Sequence, residues 1–203
     1  MKNIRQRTPR EKTALRANKG RLARILILCA GIITSLHGSQ APAAWVNIVP
    51  ARGQVIMRIN FAGTPTVTFN VPATQVGNGT PVIGTPTLEF EMSVRRPGGF
   101  GAPNLTATMT ATAPAALFSG ANQIPITTIS WTSAAITGAP GGTTVIPNGS
   151  FVAGPQTIVT RTTTGGGRFY AGGALTFRYA NTTVYPQGTY GPATINYTAS
   201  RNP

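Results

Sequence analysis

Aspartate is absent from this chain of 203 residues, and cysteine and histidine occur once each, as Cys29 and His37. Beyond residue 43 there is no Asp, His, Cys or Lys, and the only acids are Glu89 and Glu91. These absences remove most catalytic chemistry. A serine nucleophile would lack its histidine base. Zinc would lack imidazole and thiolate, and two Glu do not fill a hard-cation shell. Neither metal nor cofactor is expected, and the chain reads as a non-enzyme. Without thiols, no disulfide can staple residues 44–203, so stability has to come from core packing and sheet pairing.

Acidic charge is scarce, and basic charge is unevenly placed. Nine of the 17 cations precede residue 25: Lys2, Arg5, Arg7, Arg10, Lys12, Arg16, Lys19, Arg21 and Arg24. The other eight are Arg52, Arg58, Arg95, Arg96, Arg161, Arg168, Arg178 and Arg201. They are dispersed along the chain, with only Arg95 and Arg96 adjacent. Single-strand nucleic acid would require aromatics interleaved with a basic groove. Arg168-Phe169-Tyr170 and Phe177-Arg178-Tyr179 mix the two types, yet core rings beside outward Arg on a strand give the same pattern. No nucleic-acid partner is expected.

The early cations lead into an apolar run, Ile25 to Leu36, and then His37-Gly38-Ser39-Gln40 and Ala41-Pro42-Ala43. About a dozen apolar residues make a signal-peptide h-region and are too few to span a bilayer comfortably. Ala41 and Ala43 supply the small residues of an A-x-A cleavage pattern. The expectation is a signal peptide over residues 1–43 with a long basic n-region, cut after Ala43 or after Ala44. A single domain over residues 44–203 would then be exported to the periplasm, cell surface or exterior. Its membrane contact would be transient, through the signal peptide alone. The alternative is an uncleaved anchor.

The region beyond residue 43 holds 28 Thr and no long stretch with apolar residues at helical spacing. Thr is β-branched and favours a pleated surface. Period-two runs predict strands at Val55–Phe61, Val67–Val71, Leu88–Val94, Leu105–Ala111, Ile126–Ser133, Gln156–Thr163, Ala174–Ala180 and Ala193–Ala199. Gly, Pro and Asn clusters separate them, among them Gly77-Asn78-Gly79, Arg96-Pro97-Gly98-Gly99 and Pro147-Asn148-Gly149. Seven to nine short strands imply an all-β, antiparallel, immunoglobulin-like β-sandwich, with a closed barrel as the alternative.

Glu89 and Glu91 share one strand face, about 7 Å apart. That separation suits an inverting glycosidase, but such carboxylates flank a cleft. Two neighbours on one strand are expected to look outward together and to pair with a cross-strand Arg. Thr106, Thr108, Thr110 and Thr112 form a row that could order water, opposite Leu105, Ala107, Met109 and Ala111.

The chain closes with Tyr185-Pro186-Gln187-Gly188-Thr189-Tyr190-Gly191-Pro192, followed by Ala193, Ile195 and Tyr197 on one face of an alternating strand. This segment resembles the closing strand of bacterial pilin-like, fimbrial subunit-like secreted β-sandwiches, which often end in a Gly-x-Tyr turn and a strand with a late Tyr. Six residues follow Tyr197, and the disulfide of many chaperone–usher pilins is absent. The resemblance implies a non-enzymatic exported surface or fimbrial structural subunit assembling by β-strand complementation. Partners would be other subunits of the same or a related assembly, and a periplasmic chaperone. Trp45, Val46, Ile48 and Val49 are the candidate strand donor, and Gly188, Tyr190, Gly191, Ile195 and Tyr197 mark the closing strand. The alternative is a secreted adhesin or carbohydrate-binding module, with Phe100 and Tyr185 as candidate ligand aromatics because both adjoin turn formers. N-terminal sequencing of the exported form checks the leader: the first residue should be Ala44 or Trp45. Recovery of residues 1–30 from an extracellular sample would refute it.

Overall fold

A computed structural model of the chain describes residues 49–60, 65–98, 102–163 and 167–202. The chain divides into Met1–Gln40 and Ala41–Pro203, and every described residue lies in the second unit. Alternating side chains and turn formers produce twelve strands among the described residues. They are β1 (Val55–Asn60), β2 (Val82–Ile83), β3 (Leu88–Arg95), β4 (Thr106–Ala113), β5 (Ala116–Ser119), β6 (Asn122–Pro125), β7 (Ile129–Ala134), β8 (Thr144–Val145), β9 (Gly149–Ser150), β10 (Gly154–Thr162), β11 (Arg168–Tyr179) and β12 (Asn196–Asn202). Helix is limited to two three-residue 3-10 turns, Ala73–Gln75 and Ile126–Thr128. The fold is all-β with several antiparallel sheets.

The larger sheet has the order β1-β3-β11-β7-β9, with β2 and β8 also pairing β11. Only β8 runs parallel to its partner. The second sheet is β10-β4-β12, and β5-β6 is a separate hairpin. Strand β4 shows how the sequence makes a sheet face. Ala107, Met109, Ala111 and Ala113 are buried, while the Thr residues between them point away from the core. Phe90, Met92 and Val94 on β3 are fully buried and share one core with them. The Phe90 ring lies 4.6 Å from that of Tyr197 on β12, centroid to centroid, so the inner faces of the two sheets touch. A second ring group joins Trp131 to Phe151 at 4.9 Å and Phe151 to Phe177 at 5.9 Å. Each such side chain contributes roughly 1.5–3 kcal/mol on burial.

Several strands differ from the sequence expectation. Val67, Phe69 and Val71 pack against the core, but that run forms only an isolated bridge, Thr68 to Thr85. The run from Ile126 starts as a 3-10 turn because the Thr128 hydroxyl donates to the Pro125 carbonyl (2.8 Å) and holds the chain curled. Strand β11 begins at Arg168 rather than Ala174. Its Gly172 and Gly173 look like breakers in the sequence, yet they lie opposite Glu91 and Phe90 in the ladder. A Cβ built on Gly173 would stand 2.2 Å from Ser133 Oγ, so any larger residue would have to displace the Ser133 hydroxyl.

Asn181 is a buried polar hub that the sequence does not signal. It adopts positive φ (51°) just beyond β11. Its Nδ2 donates to the carbonyls of Gln75 (2.7 Å) and Thr80 (3.2 Å), and its Oδ1 accepts from the Gly77 N–H (2.9 Å). One side chain thereby satisfies several backbone groups of a loop that has no ladder of its own.

In the closing segment Ala193, Ile195, Tyr197 and Ala199 are half-buried, and Thr194, Asn196, Thr198 and Ser200 are exposed. Tyr197→Ala should therefore cost about 3 kcal/mol, as large aromatic truncations do, and Thr198→Ala should be nearly silent. Urea midpoints of the two variants check the register; equal midpoints would refute it. Burial also raises the Tyr197 phenol above its ordinary value of 10.0. The unfolded chain then loses this proton at lower pH than the folded chain. Stability is full below about pH 10 and falls above it, by up to about 1.4 kcal/mol per pH unit for this group. Tyr197→Phe should shallow that alkaline decline.

Candidate functional site

Strand pairing decides what the two glutamates can do. In the β1–β3 ladder Arg58 stands opposite Glu91, and Asn60 opposite Glu89. Arg58 Nε lies 3.1 Å from Glu91 Oε2. Arg58 Nη2 also donates to Glu91 Oε1 at 3.3 Å. Asn60 Nδ2 donates to Glu89 Oε2 at 3.1 Å. The cross-strand Arg is present as expected. The solvated face is not, since Glu91 is fully buried while the Arg58 side chain remains 26% exposed. Strand β3 is largely buried on both faces. The solvent exposure expected of Glu91 on the outer face is thus corrected. Across β11 its neighbour is Gly172, which leaves room for a bulky pair.

This arrangement holds charge and offers little to a substrate. Both carboxylates are already engaged, on one face of one strand, with no cleft between them. Among the described residues no group of three or more His, Cys, Asp or Glu could hold a metal ion. A cavity with a volume near 230 Å³ is lined by Ala135, Ile136, Pro140, Thr143, Val145 and neighbouring glycines. It contains no titratable group.

Other candidate residues fall in three places. Ala41, Ala43, Ala44, Trp45, Val46, Ile48 and Phe100 lie outside the described residues. Val49 is 53% exposed. Tyr185 is half-buried and meets Tyr190 edge-on at 6.3 Å, with the Tyr190 hydroxyl donating to the Pro186 carbonyl (2.7 Å). The two rings stabilise the turn before the closing strand. The Gly191 N–H donates to the Phe118 carbonyl (2.8 Å) and Gly188 abuts Ser119, so this turn rests on the β5–β6 hairpin. Ile195 and Tyr197 then pack on the core.

The three-stranded sheet carries two features that strand patterns alone do not disclose. Its outward face is uncharged across all three strands. The Thr row of β4 is flanked by Thr157, Thr160 and Thr162 of β10, and by Asn196, Thr198, Ser200 and Asn202 of β12. Thr106 and Thr162 hydroxyls lie 3.0 Å apart, and those of Thr108 and Thr160 lie 3.4 Å apart. Second, β10 and β12 each pair on one side only among the described residues. Such edges leave backbone N–H and C=O groups available to another strand.

Comparison with family models, curated proteins and solved structures finds no match to the chain.

The buried pair makes a sharp prediction. Glu91→Gln leaves the Arg58 charge uncompensated and should cost about 3 kcal/mol. Glu89→Gln should shift stability by no more than about 0.5 kcal/mol. Replacing Arg58 and Glu91 together with Met should recover most of the loss, because the desolvation cost disappears with the charges. Urea midpoints of the three variants check this; equal losses for Glu89→Gln and Glu91→Gln would refute it.

Proposed function

We propose that the chain is a non-enzymatic exported surface or fimbrial structural subunit. On this reading residues 44–203 form an immunoglobulin-like β-sandwich after loss of the signal peptide. Neighbouring subunits join by β-strand complementation, with a periplasmic chaperone guarding the edge before assembly. The observation that carries the proposal is the pair of one-sided strands, β10 and β12, in a sheet of only three. Strand β10 is nine residues long, about 30 Å at strand rise, and gives a donated segment a full-length template. A donated strand gains affinity from main-chain hydrogen bonds and specificity from alternate side chains. Trp45, Val46, Ile48 and Val49 are the proposed donor, and the exposure of Val49 supports this choice. The engagement of both glutamates supports a structural role over a catalytic one.

Negative-stain microscopy and sedimentation of the exported protein test the proposal. Filaments or concentration-dependent multimers are expected. Deleting residues 44–48 should abolish them while leaving the urea midpoint of the folded unit unchanged. An exported protein that stays monomeric at high concentration, with no filaments at the cell surface, would overturn it.

A further inference from the structure

Topology gathers arginines that are scattered in the sequence. Strand β1 begins, β3 ends and β11 begins at the same end of the larger sheet. At the corresponding end of the second sheet β4 begins and β10 and β12 end. Six of the eight arginines beyond residue 43 lie there: Arg52, Arg95, Arg96, Arg161, Arg168 and Arg201. Direct contacts connect the set. Arg168 stands directly opposite Arg95 in the β3–β11 ladder. Arg161 and Arg201 flank Ala107 from either side of β4. The Arg95 carbonyl accepts from the Gly53 N–H at 2.9 Å, and Arg201 Nη1 lies 3.9 Å from the Cβ position of Gly53. The Arg52 guanidinium abuts Gly98, and the Arg96 N–H donates to the Gly167 carbonyl at 3.4 Å.

No carboxylate of the described residues balances this end. The one ion pair among them is Arg58–Glu91. Glu91 lies opposite Gly172, four residues along β11 from Arg168, a distance of about 13 Å. Like charges directly opposite in a ladder, as Arg95 and Arg168 are, destabilise the sheet. Arg161 lies with its guanidinium carbon 5.7 Å from the Phe169 ring centroid, and its buried Nε has no hydrogen-bond acceptor among the described residues. Arg96 is anchored by Nε donating to the Pro103 carbonyl at 3.1 Å, which leaves its terminal nitrogens outward. A guanidinium fork suits carboxylate, sulfate and phosphate oxygens.

The partner is narrowed by the rest of the surface. A second copy is a poor counter-charge for six arginines, because Glu91 is buried against Arg58 and the half-buried Glu89 is a single carboxylate held by Asn60. A bilayer would want exposed apolar groups beside the arginines. Val49, three residues before Arg52, is a single exposed apolar side chain on this side, whereas Val76, Ile83, Phe118 and Val184 are exposed near the far end of the strands, on β2, on the β5–β6 hairpin and in the loops beside β11. Nucleic acid would want free rings for stacking, whereas Phe169 lies beneath Arg161 and Tyr170 is half-buried. We propose that this arginine end is a docking surface for an anionic polysaccharide, contacted through its sulfate or carboxylate groups. Arg161 and Arg201 place this surface at the ends of β10 and β12 beside the start of β4, and the proposal holds whether or not the chain polymerises.

Heparin, as a sulfated polysaccharide probe, tests the proposal by titration of the full chain over a range of salt concentrations. The basic segment before residue 25 is common to every form compared, so differences report the arginine end. Combined Arg95→Gln, Arg168→Gln and Arg201→Gln should lower heparin affinity at least about tenfold and reduce the slope of log affinity against log salt by about three. Arg178→Gln, near the far end of β11, should leave affinity within about twofold. The urea midpoint of the triple variant should hold or rise, since a like-charge pair is removed. If the triple variant does not fold, exposed Arg201→Gln alone should reduce the slope by about one. Unchanged affinity and slope in the folded variants would overturn the proposal. So would tighter wild-type binding to oligo-dT or phosphatidylglycerol vesicles than to heparin, lost in the same variants.

Discussion

Strand β11 is the constraint on which the described fold depends. It pairs with β3, β7, β2 and β8, more partners than any other strand. A strand so crowded has to be thin where its neighbours are thick. Ala171, Gly172 and Gly173 supply that thinness, opposite Met92, Glu91 and Phe90 respectively. On the inner face the missing side chain at Gly173 leaves space that Ser133 and Ile146 occupy, and the Phe90 ring opposite it in the ladder reaches Tyr197 of the other sheet. On the outer face the missing side chain at Gly172 accommodates the Arg58–Glu91 pair. Beyond this stretch β11 carries Leu175, Phe177 and Tyr179 into the core. One strand thus spaces the sheets in its first half and fills them in its second.

Much of this was legible in the residues and some was not, for identifiable reasons. Period-two alternation in β1, β3 and β4 reflects the pleat itself, so those strands could be read directly; the closing strand expected at Ala193–Ala199 begins only at Asn196, although Ile195 and Tyr197 do pack on the core. The same rule failed for Glu91 because alternation implies a wet outer face, whereas there Glu91 is buried in an ion pair with Arg58 of the neighbouring strand. Gly172 and Gly173 concealed the first half of β11 because glycine punctuates loops far more often than it relieves crowding. The run Val67–Val71 alternates because it packs on the core, without a neighbour able to complete a ladder. The basic end was illegible for a different reason. Arg52, Arg95, Arg161 and Arg201 are dispersed in sequence, and only strand order and direction bring them to one end.

The distribution of charge ties the two proposals together. With two glutamates against eight arginines beyond residue 43, both acids are consumed inside the larger sheet. One of them holds Arg58, and the other takes Asn60. The half-buried Glu89, whose partner Asn60 is neutral, is the one carboxylate of the described residues left for a second copy to meet. Contacts between copies can draw on little acidic charge, which favours backbone pairing at β10 and β12 over ion pairing. Like-charged ends repel, so copies stacked with their arginine ends together would be disfavoured over a Debye length of about 10 Å at 0.1 M salt. A strand edge beside an uncharged Thr face avoids that repulsion. The same repulsion is relieved when a polyanion neutralises the arginine end. On the proposed readings the edge and the arginine end perform different tasks and meet where Arg161 and Arg201 close β10 and β12, so neutralising that end would also ease repulsion beside the pairing edges.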